Sequence, residues 1–225
     1  MTVQDFGAEH SADVDDAYRA IGRYMVAFSQ LIAEMRDLIA TRLGGADFVL
    51  VQIVLGEAQP GNIAHAFFGL AREVGNLTDA ENDVAASLEN AVRLANEERT
   101  HFAHGDWQVG NVHVDPTSRK LKTLPPRRVR ILPHQKKGPY KIDHLTPKQI
   151  DEKTDDLLAL LTSVYEFGRL ALGLPVTVEQ ADGSGENEWL RVSDVFVVEG
   201  NQKTGKRLAR SGPRADDVFP VIYVG

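Results

Sequence analysis

Between residues 13 and 43 the apolar side chains Tyr18, Ile21, Met25, Phe28, Ile32, Met35 and Ile39 recur in strict steps of three and four. An α-helix needs that period to keep one stripe facing a neighbouring helix, here over about three heptads. A strand cannot use it, because successive strand residues point to opposite faces. Leu31, Leu38 and Leu43 widen the stripe. Leu43-Gly44-Gly45 predicts the stop, since glycine tolerates the left-handed conformation just past a helix C-terminus. The stripe reads first as intrachain core, and its length also suits a dimer seam.

The same logic places the remaining helices. Ile63, Ala66, Phe67, Leu70 and Val74 follow the turn Pro60-Gly61-Asn62 at helical spacing, and Gly75 ends the run. Thr78-Asp79-Ala80-Glu81 is a capping box that opens a helix carrying Val84, Leu88, Ala91, Ala95 and Phe102 on one face. Thr146-Pro147-Lys148-Gln149 is a second box, with proline where its missing N–H does no harm. It opens a helix carrying Ile150, Leu157, Leu158, Leu161, Val164, Tyr165 and Leu172, stopped by Gly173 and Pro175. The run F-V-L-V-Q-I-V-L at 48–55 fits strand or helix by periodicity. With no strand partner nearby, a short buried helix is the expectation.

Other parts of the chain lack this period. W-Q-V-G-N-V-H-V and K-L-K-T-L alternate around the turn residues 115–118, predicting a β-hairpin or extended loop, and Pro125-Pro126 is expected to end strand pairing. Residues 176–225 are rich in Gly and charged side chains: W-L-R-V-S-D-V-F-V-V reads as one strand, and 200–217 as a mobile linker. The final V-F-P-V-I-Y-V is apolar again. The expected fold is mainly α: a bundle of about four main helices over 13–173, a basic β-hairpin or loop insertion over 106–145, and an irregular C-terminal tail over 174–225 with short strands.

Composition excludes several functions. The chain has no cysteine, so disulfides, thiolate zinc sites and thiol catalysis are ruled out. The longest apolar runs fall short of the ~18 residues a membrane span needs. The acidic first residues, M-T-V-Q-D-F-G-A-E-H, predict no secretory signal. A cytoplasmic protein without cofactor or metal is the expectation. No P-loop, Rossmann glycine fingerprint, nucleophile elbow or H-E-x-x-H pattern occurs.

The chemistry concentrates in E98-R-T-H-F-A-H-G-D-W107, where a helical pattern runs into Gly105. His101 and His104 are three apart and share a helix face. Arg99 and His104 are five apart, about 140° around a straight helix. They converge only if the helix loosens at its end or a second copy supplies the missing member. Together an arginine and a histidine suit phosphate esters, one holding oxygens and the other moving a proton. A second cluster, on a chain of net charge −7, is the basic run Arg119, Lys120, Lys122, Arg127, Arg128, Arg130, Lys136, Lys137 and Lys141, uninterrupted by Asp or Glu. Such a run supplies sequence-independent attraction for phosphates, or else forms a solvated loop.

Arg99-x-x-x-x-His104, late in a helix of an all-α bundle, resembles the R-x4–6-H motif of HEPN domains (higher eukaryotes and prokaryotes nucleotide-binding). The whole R-T-H-F-A-H-G-D-W resembles the R-N-x-x-x-H-G-x-W ending of prokaryotic HEPN-like proteins, and I-G-R-Y-M-V-A-F-S-Q-L-I-A-E-M-R resembles their long first helix. The likeness spans roughly 15–172. It implies a homodimer in a defence or toxin–antitoxin setting, with RNA or an antitoxin-like protein as partner. It also implies metal-independent RNA cleavage, in which Arg99 stabilises phosphorane charge and His104 acts as acid or base. Glu98, Thr100, His101 and Trp107 would support them. Thr100 stands where the family usually carries Asn, Asp or His.

The bland alternatives are a helix terminus in which His104 caps carbonyls and Arg99 pairs with an acid, and a Trp107 that packs the helix end. The chain would then be a non-catalytic helical interaction module, or an RNA-binding subunit without chemistry.

Overall fold

The computed structural model of the chain describes residues 3–44, 48–118, 120–131, 140–174, 176–179, 185–188, 191–201, 205–210 and 223–224. It is mostly helical. In chain order come α1 (Val3–Gly44), α2 (Phe48–Gly56), α3 (Pro60–Gly75) and α4 (Asp79–His104), then the strands β1 (Asp106–Gln108), β2 (Val112–Val114), β3 (Leu121–Thr123), β4 (Arg127–Ile131) and β5 (Tyr140–His144). After α5 (Pro147–Ala171) follow β6 (Val176–Glu179), β7 (Gly185–Glu188), the short α6 (Val192–Val195), β8 (Phe196–Asn201), β9 (Gly205–Arg210) and β10 (Tyr223–Val224). No helix among the described residues is long and apolar enough to cross a membrane.

The chain folds into two compact units, one of Met1–Phe28 with Glu97–Asp155, the other of Ser29–Asn96 with Asp156–Gly225. The long helices are therefore shared out between units, and the described C-terminal residues fall in the same unit as the middle of the chain.

In the first unit the buried stripe of α1 runs through Ala17, Ala20, Tyr24 and Ala27, while Tyr18 is 61% exposed. Phe28, Ile32, Met35 and Ile39 are buried as predicted; only upstream of Phe28 does the buried face sit one position earlier, on Ala17, Ala20 and Tyr24 in place of Tyr18, Ile21 and Met25. Two small antiparallel sheets follow α4. One is the β2–β3 hairpin around residues 115–118, as expected. The other has strand order β1–β4–β5. Pro125-Pro126 does end β3, but pairing resumes at Arg127, so the insertion is more ordered than a single hairpin.

In the second unit Leu31, Met35 and Leu38 of α1, Phe67 and Phe68 of α3, Leu88 of α4, and Val164 and Phe167 of α5 are all buried. Phe67, Phe68 and Phe167 cluster with ring centroids 5.0–6.3 Å apart. Gly168 permits this density: a Cβ there would lie 2.7 Å from Leu38 Cδ1 and 2.8 Å from Phe67 Cζ. On α5 the core falls on Leu157, Leu160 and Phe167, and Leu158, expected inside, is exposed. The α3 helix starts at Pro60 itself, one turn earlier than the predicted turn allowed, with proline in its first turn. Residues 48–56 are helical, as expected, but none is buried.

The C-terminal segment departs furthest from expectation. β6 pairs with β7, and β8, β9 and β10 form a sheet of order β10–β9–β8. Gly205–Arg210, predicted as linker, pairs antiparallel with Phe196–Asn201; residues 211–217 lie outside those described. The anchor is Glu81. Its carboxylate accepts from Thr78 N–H at 2.9 Å and Thr78 Oγ1 at 3.0 Å, the predicted capping box. Its other oxygen accepts from Ser193 N–H at 3.1 Å and Ser193 Oγ at 3.0 Å, tying in α6, whose Val192 is buried. The second box also forms: Thr146 N–H donates to Gln149 Oε1 at 2.9 Å and Gln149 N–H to Thr146 Oγ1 at 3.2 Å.

Burial alone would raise the Glu81 pKa, but the hydrogen bonds from Thr78 and Ser193 outweigh it and bring it from 4.5 down to about 2. A depressed carboxylate stabilises the fold above its unfolded pKa and loses that contribution as pH falls through the folded value. We therefore expect Glu81→Gln to lose about 2–3 kcal/mol at neutral pH in urea unfolding. The difference from the parent should shrink between pH 4.5 and 2; a pH-independent difference would contradict the assignment.

Candidate functional site

The stretch E98–W107 closes the first unit. The α4 helix stays regular through His104, and Gly105 N–H donates to His101 C=O at 3.0 Å, adding one more helical hydrogen bond. Carbonyls in the last turn of a helix need partners from elsewhere. Trp107 meets one of them: its indole Nε1–H donates to Phe102 C=O at 2.9 Å. The tryptophan thus caps the helix from β1, and its ring packs on Phe102 with centroids 5.2 Å apart.

Strand register brings a third group to this point. Trp107 of β1 lies opposite Arg128 of β4, and Arg128 opposite Asp143 of β5. The Arg128 side chain is 3% exposed. Its guanidinium carbon lies 4.9 Å from the Phe102 ring centroid and 5.6 Å from that of Trp107. Both terminal nitrogens donate to Glu98 Oε1 at 3.2 Å, and one also donates to Asp143 Oδ2 at 3.2 Å. Lys153 Nζ of α5 reaches the same Glu98 oxygen at 3.4 Å. Burial works to raise the Glu98 pKa, yet the charges of Lys153 and Arg128 and their hydrogen bonds win, holding it below the usual range.

Tyr24 of α1 also stacks on Phe102, centroids 4.1 Å apart. Burial first, then the Glu98 charge, raise its hydroxyl pKa, and Arg128 opposes them. Tyr24 is therefore a neutral phenol at physiological pH.

Gly105 belongs to this assembly for lack of space. A Cβ there would lie 2.5 Å from His101 C=O and 2.8 Å from Arg128 Cγ. Its φ is not positive, so the glycine admits the arginine stem rather than a left-handed turn.

The residues singled out from the sequence are thus sorted by the fold. Glu98 and Trp107 are walls of the Arg128 cage. Arg99 is half-buried on a neighbouring part of α4, its guanidinium carbon 5.9 Å from the Phe28 ring centroid. His101 is half-buried, and Thr100 and His104 are exposed. With α4 regular to its last residue, Arg99 and His104 point about 140° apart and do not converge within one chain. A pocket of about 200 Å³ in the same unit is lined by Asp13, Asp16, Thr123, Pro126 and Pro147 among others, and neither Arg99 nor His104 is among them. No three His, Asp or Glu side chains among the described residues gather into a set that could hold a metal ion.

The basic run is also divided. Lys120 and Lys122 are exposed on the β2–β3 hairpin. Arg127 is half-buried, its Nε–H donating to Gln108 Oε1 across the β1–β4 pair. Arg128, expected among the phosphate-facing residues, is buried and balanced by two carboxylates, so its charge is turned inward. Arg130 lies in β4 opposite Lys141 of β5. Arg119, Lys136 and Lys137 lie outside the described residues. Asp143 and Lys153 escaped the sequence reading because nothing local links them to Glu98. The one signal was the alternation R-R-V-R-I, which places Arg128 and Arg127 on opposite faces.

No family model, curated protein or solved structure matches the chain.

Two substitutions test the cage. Gly105→Ala should cost about 1–3 kcal/mol by forcing the Arg128 stem aside. Trp107→Phe, which keeps a ring but removes the indole donor, should cost about 0.5–1.5 kcal/mol. Both are read from urea midpoints; parent-like midpoints in both would contradict the packing described.

Proposed function

We propose that the protein is a non-catalytic helical interaction module, HEPN-like in the sequence of its motif helix. The observation that carries this reading is the regularity of α4 through His104, which sends Arg99 and His104 to different sides of the helix. A phosphate-transfer centre needs both groups within hydrogen-bond reach of one phosphodiester. Here the conspicuous residues of the stretch serve the fold instead: Glu98, Phe102, Gly105 and Trp107 all surround Arg128. The motif's likeness to a nuclease ending then reflects a helix terminus that must be closed by a tryptophan and must leave room for an arginine. What remains for such a module is binding, and the apolar surface that supports it lies on α2.

A second reading is favoured by the exposure of His104 at the very end of α4. In it, two copies pair so that the arginine of one faces the histidine of the other, forming a metal-independent endoribonuclease site, with Lys120 and Lys122 drawing the RNA backbone.

Incubation of the purified chain with total RNA in EDTA separates the two. The interaction-module reading expects no cleavage above a buffer blank, and no change with Arg99→Ala or His104→Ala. EDTA-resistant cleavage by the parent that both substitutions abolish would overturn it in favour of the two-chain nuclease.

A further inference from the structure

The nine residues of α2, F-V-L-V-Q-I-V-L-G, carry no charge and none is buried. Val49 is 69%, Ile53 64% and Val54 66% exposed. A helix that is apolar on every side is ordinarily covered. Gln52, its single polar side chain, donates to Asp37 of α1 and so is turned back onto its own chain. The outward face is left wholly apolar.

Beside α2 runs a groove of about 520 Å³. Leu50, Val54 and Leu55 of α2 line it with Ile39 and Leu43 of α1 and Leu70 of α3. No charged residue is among its walls. The surface therefore holds a convex ridge, Val49 and Ile53, next to a concave slot of the same chemistry. Residues four apart on a helix stand in one row, so Val49 and Ile53 form one row and Leu50 and Val54 the next.

We propose that α2 and this groove form an isologous interface through which two copies of this chain pair, the ridge of each seated in the slot of the other. The proposal rests on the reading of the chain as an interaction module and names its partner. A two-fold interface requires one patch that complements itself, and adjacent ridge and slot provide that. Area agrees: the exposed parts of Leu43, Phe48, Val49, Leu50, Ile53 and Val54 amount to on the order of 600 Å² per copy. Pairing would bury about 1,200 Å² in total, the lower bound for a stable interface. Charge agrees as well. The chain carries −7 overall, but the patch carries none, so two copies meet there without like-charge contact. A lipid surface fits less well. At ~1.5 Å per residue α2 is about 14 Å long, half a bilayer core, and an acidic chain is repelled by anionic lipid.

The test is sedimentation equilibrium of the full chain over micromolar concentrations, with Ile53→Asp and Val54→Asp. The expected result is a parent at twice the chain mass and variants at least 100-fold weaker in self-association, with unchanged helical circular dichroism. A parent that dimerises equally well with either aspartate overturns the interface. A monomeric parent overturns self-pairing, and the apolar dye bis-ANS then locates the fault. Dye binding lost in Ile53→Asp would leave the interaction-module reading standing with a different partner, such as neutral lipid vesicles or another protein. No dye binding would remove both.

Discussion

The first unit depends on one buried cation. Arg128 enters from the middle strand of a three-stranded sheet and ends among two aromatic faces and two carboxylates. A buried guanidinium is tolerable only when its charge is matched, since desolvation costs several kcal/mol per ion. Glu98 and Asp143 match the charge and the terminal nitrogens donate to them, while the buried Nε–H makes no hydrogen bond among the described residues. Phe102 and Trp107 supply ring faces, which favour a planar guanidinium over an ammonium. Through this one side chain the end of α4, the strands β1, β4 and β5, and by way of Lys153 the start of α5 are fixed together.

That arrangement changes what the conspicuous stretch means. Its glycine makes room, its tryptophan closes a helix, its glutamate neutralises a buried charge. Each residue has a mechanical reason to be there before any reaction is considered. Arg99, Thr100, His101 and His104 stand outside the cage, and the geometry of a regular helix separates Arg99 from His104. The second unit has its own anchor of the same physical kind. Glu81, a capping residue by sequence, also receives two hydrogen bonds from Ser193 and so fastens the C-terminal segment to the start of α4. In both units a charged group buried by the fold joins segments far apart in the chain.

Where the sequence was legible, the reason was local. Both capping boxes, the long helices and the β2–β3 hairpin depend on residues within a few positions of one another, and all formed. Only the first turns of the α1 stripe were harder, because alanine at Ala17 and Ala20 is a weak apolar signal although both are fully buried. Leu158 and Leu160 differ only by two positions, and the choice of which faces inward is made by neighbouring helices. Non-local pairing was illegible: β8 with β9 across charged residues, Glu98 with Arg128 thirty residues on, and Asp143 beyond that. The basic run looked uniform because composition does not show which face a strand turns inward. The helix of 48–56 was legible as a helix, but its exposure was not, since an apolar run reads as core whether it is covered by its own chain or by another.

The first unit rests on the interaction between Arg128 and the carboxylate of Glu98, and a double-mutant cycle measures it directly. Glu98→Gln, Arg128→Met and the double variant are compared with the parent by urea unfolding. If the pair is the buried, charge-matched bond described, the two losses will fail to add, with a coupling of about 1–3 kcal/mol. Losses that add to within about 0.3 kcal/mol would mean the two groups act independently, and the cage at the end of α4 would have to be given up.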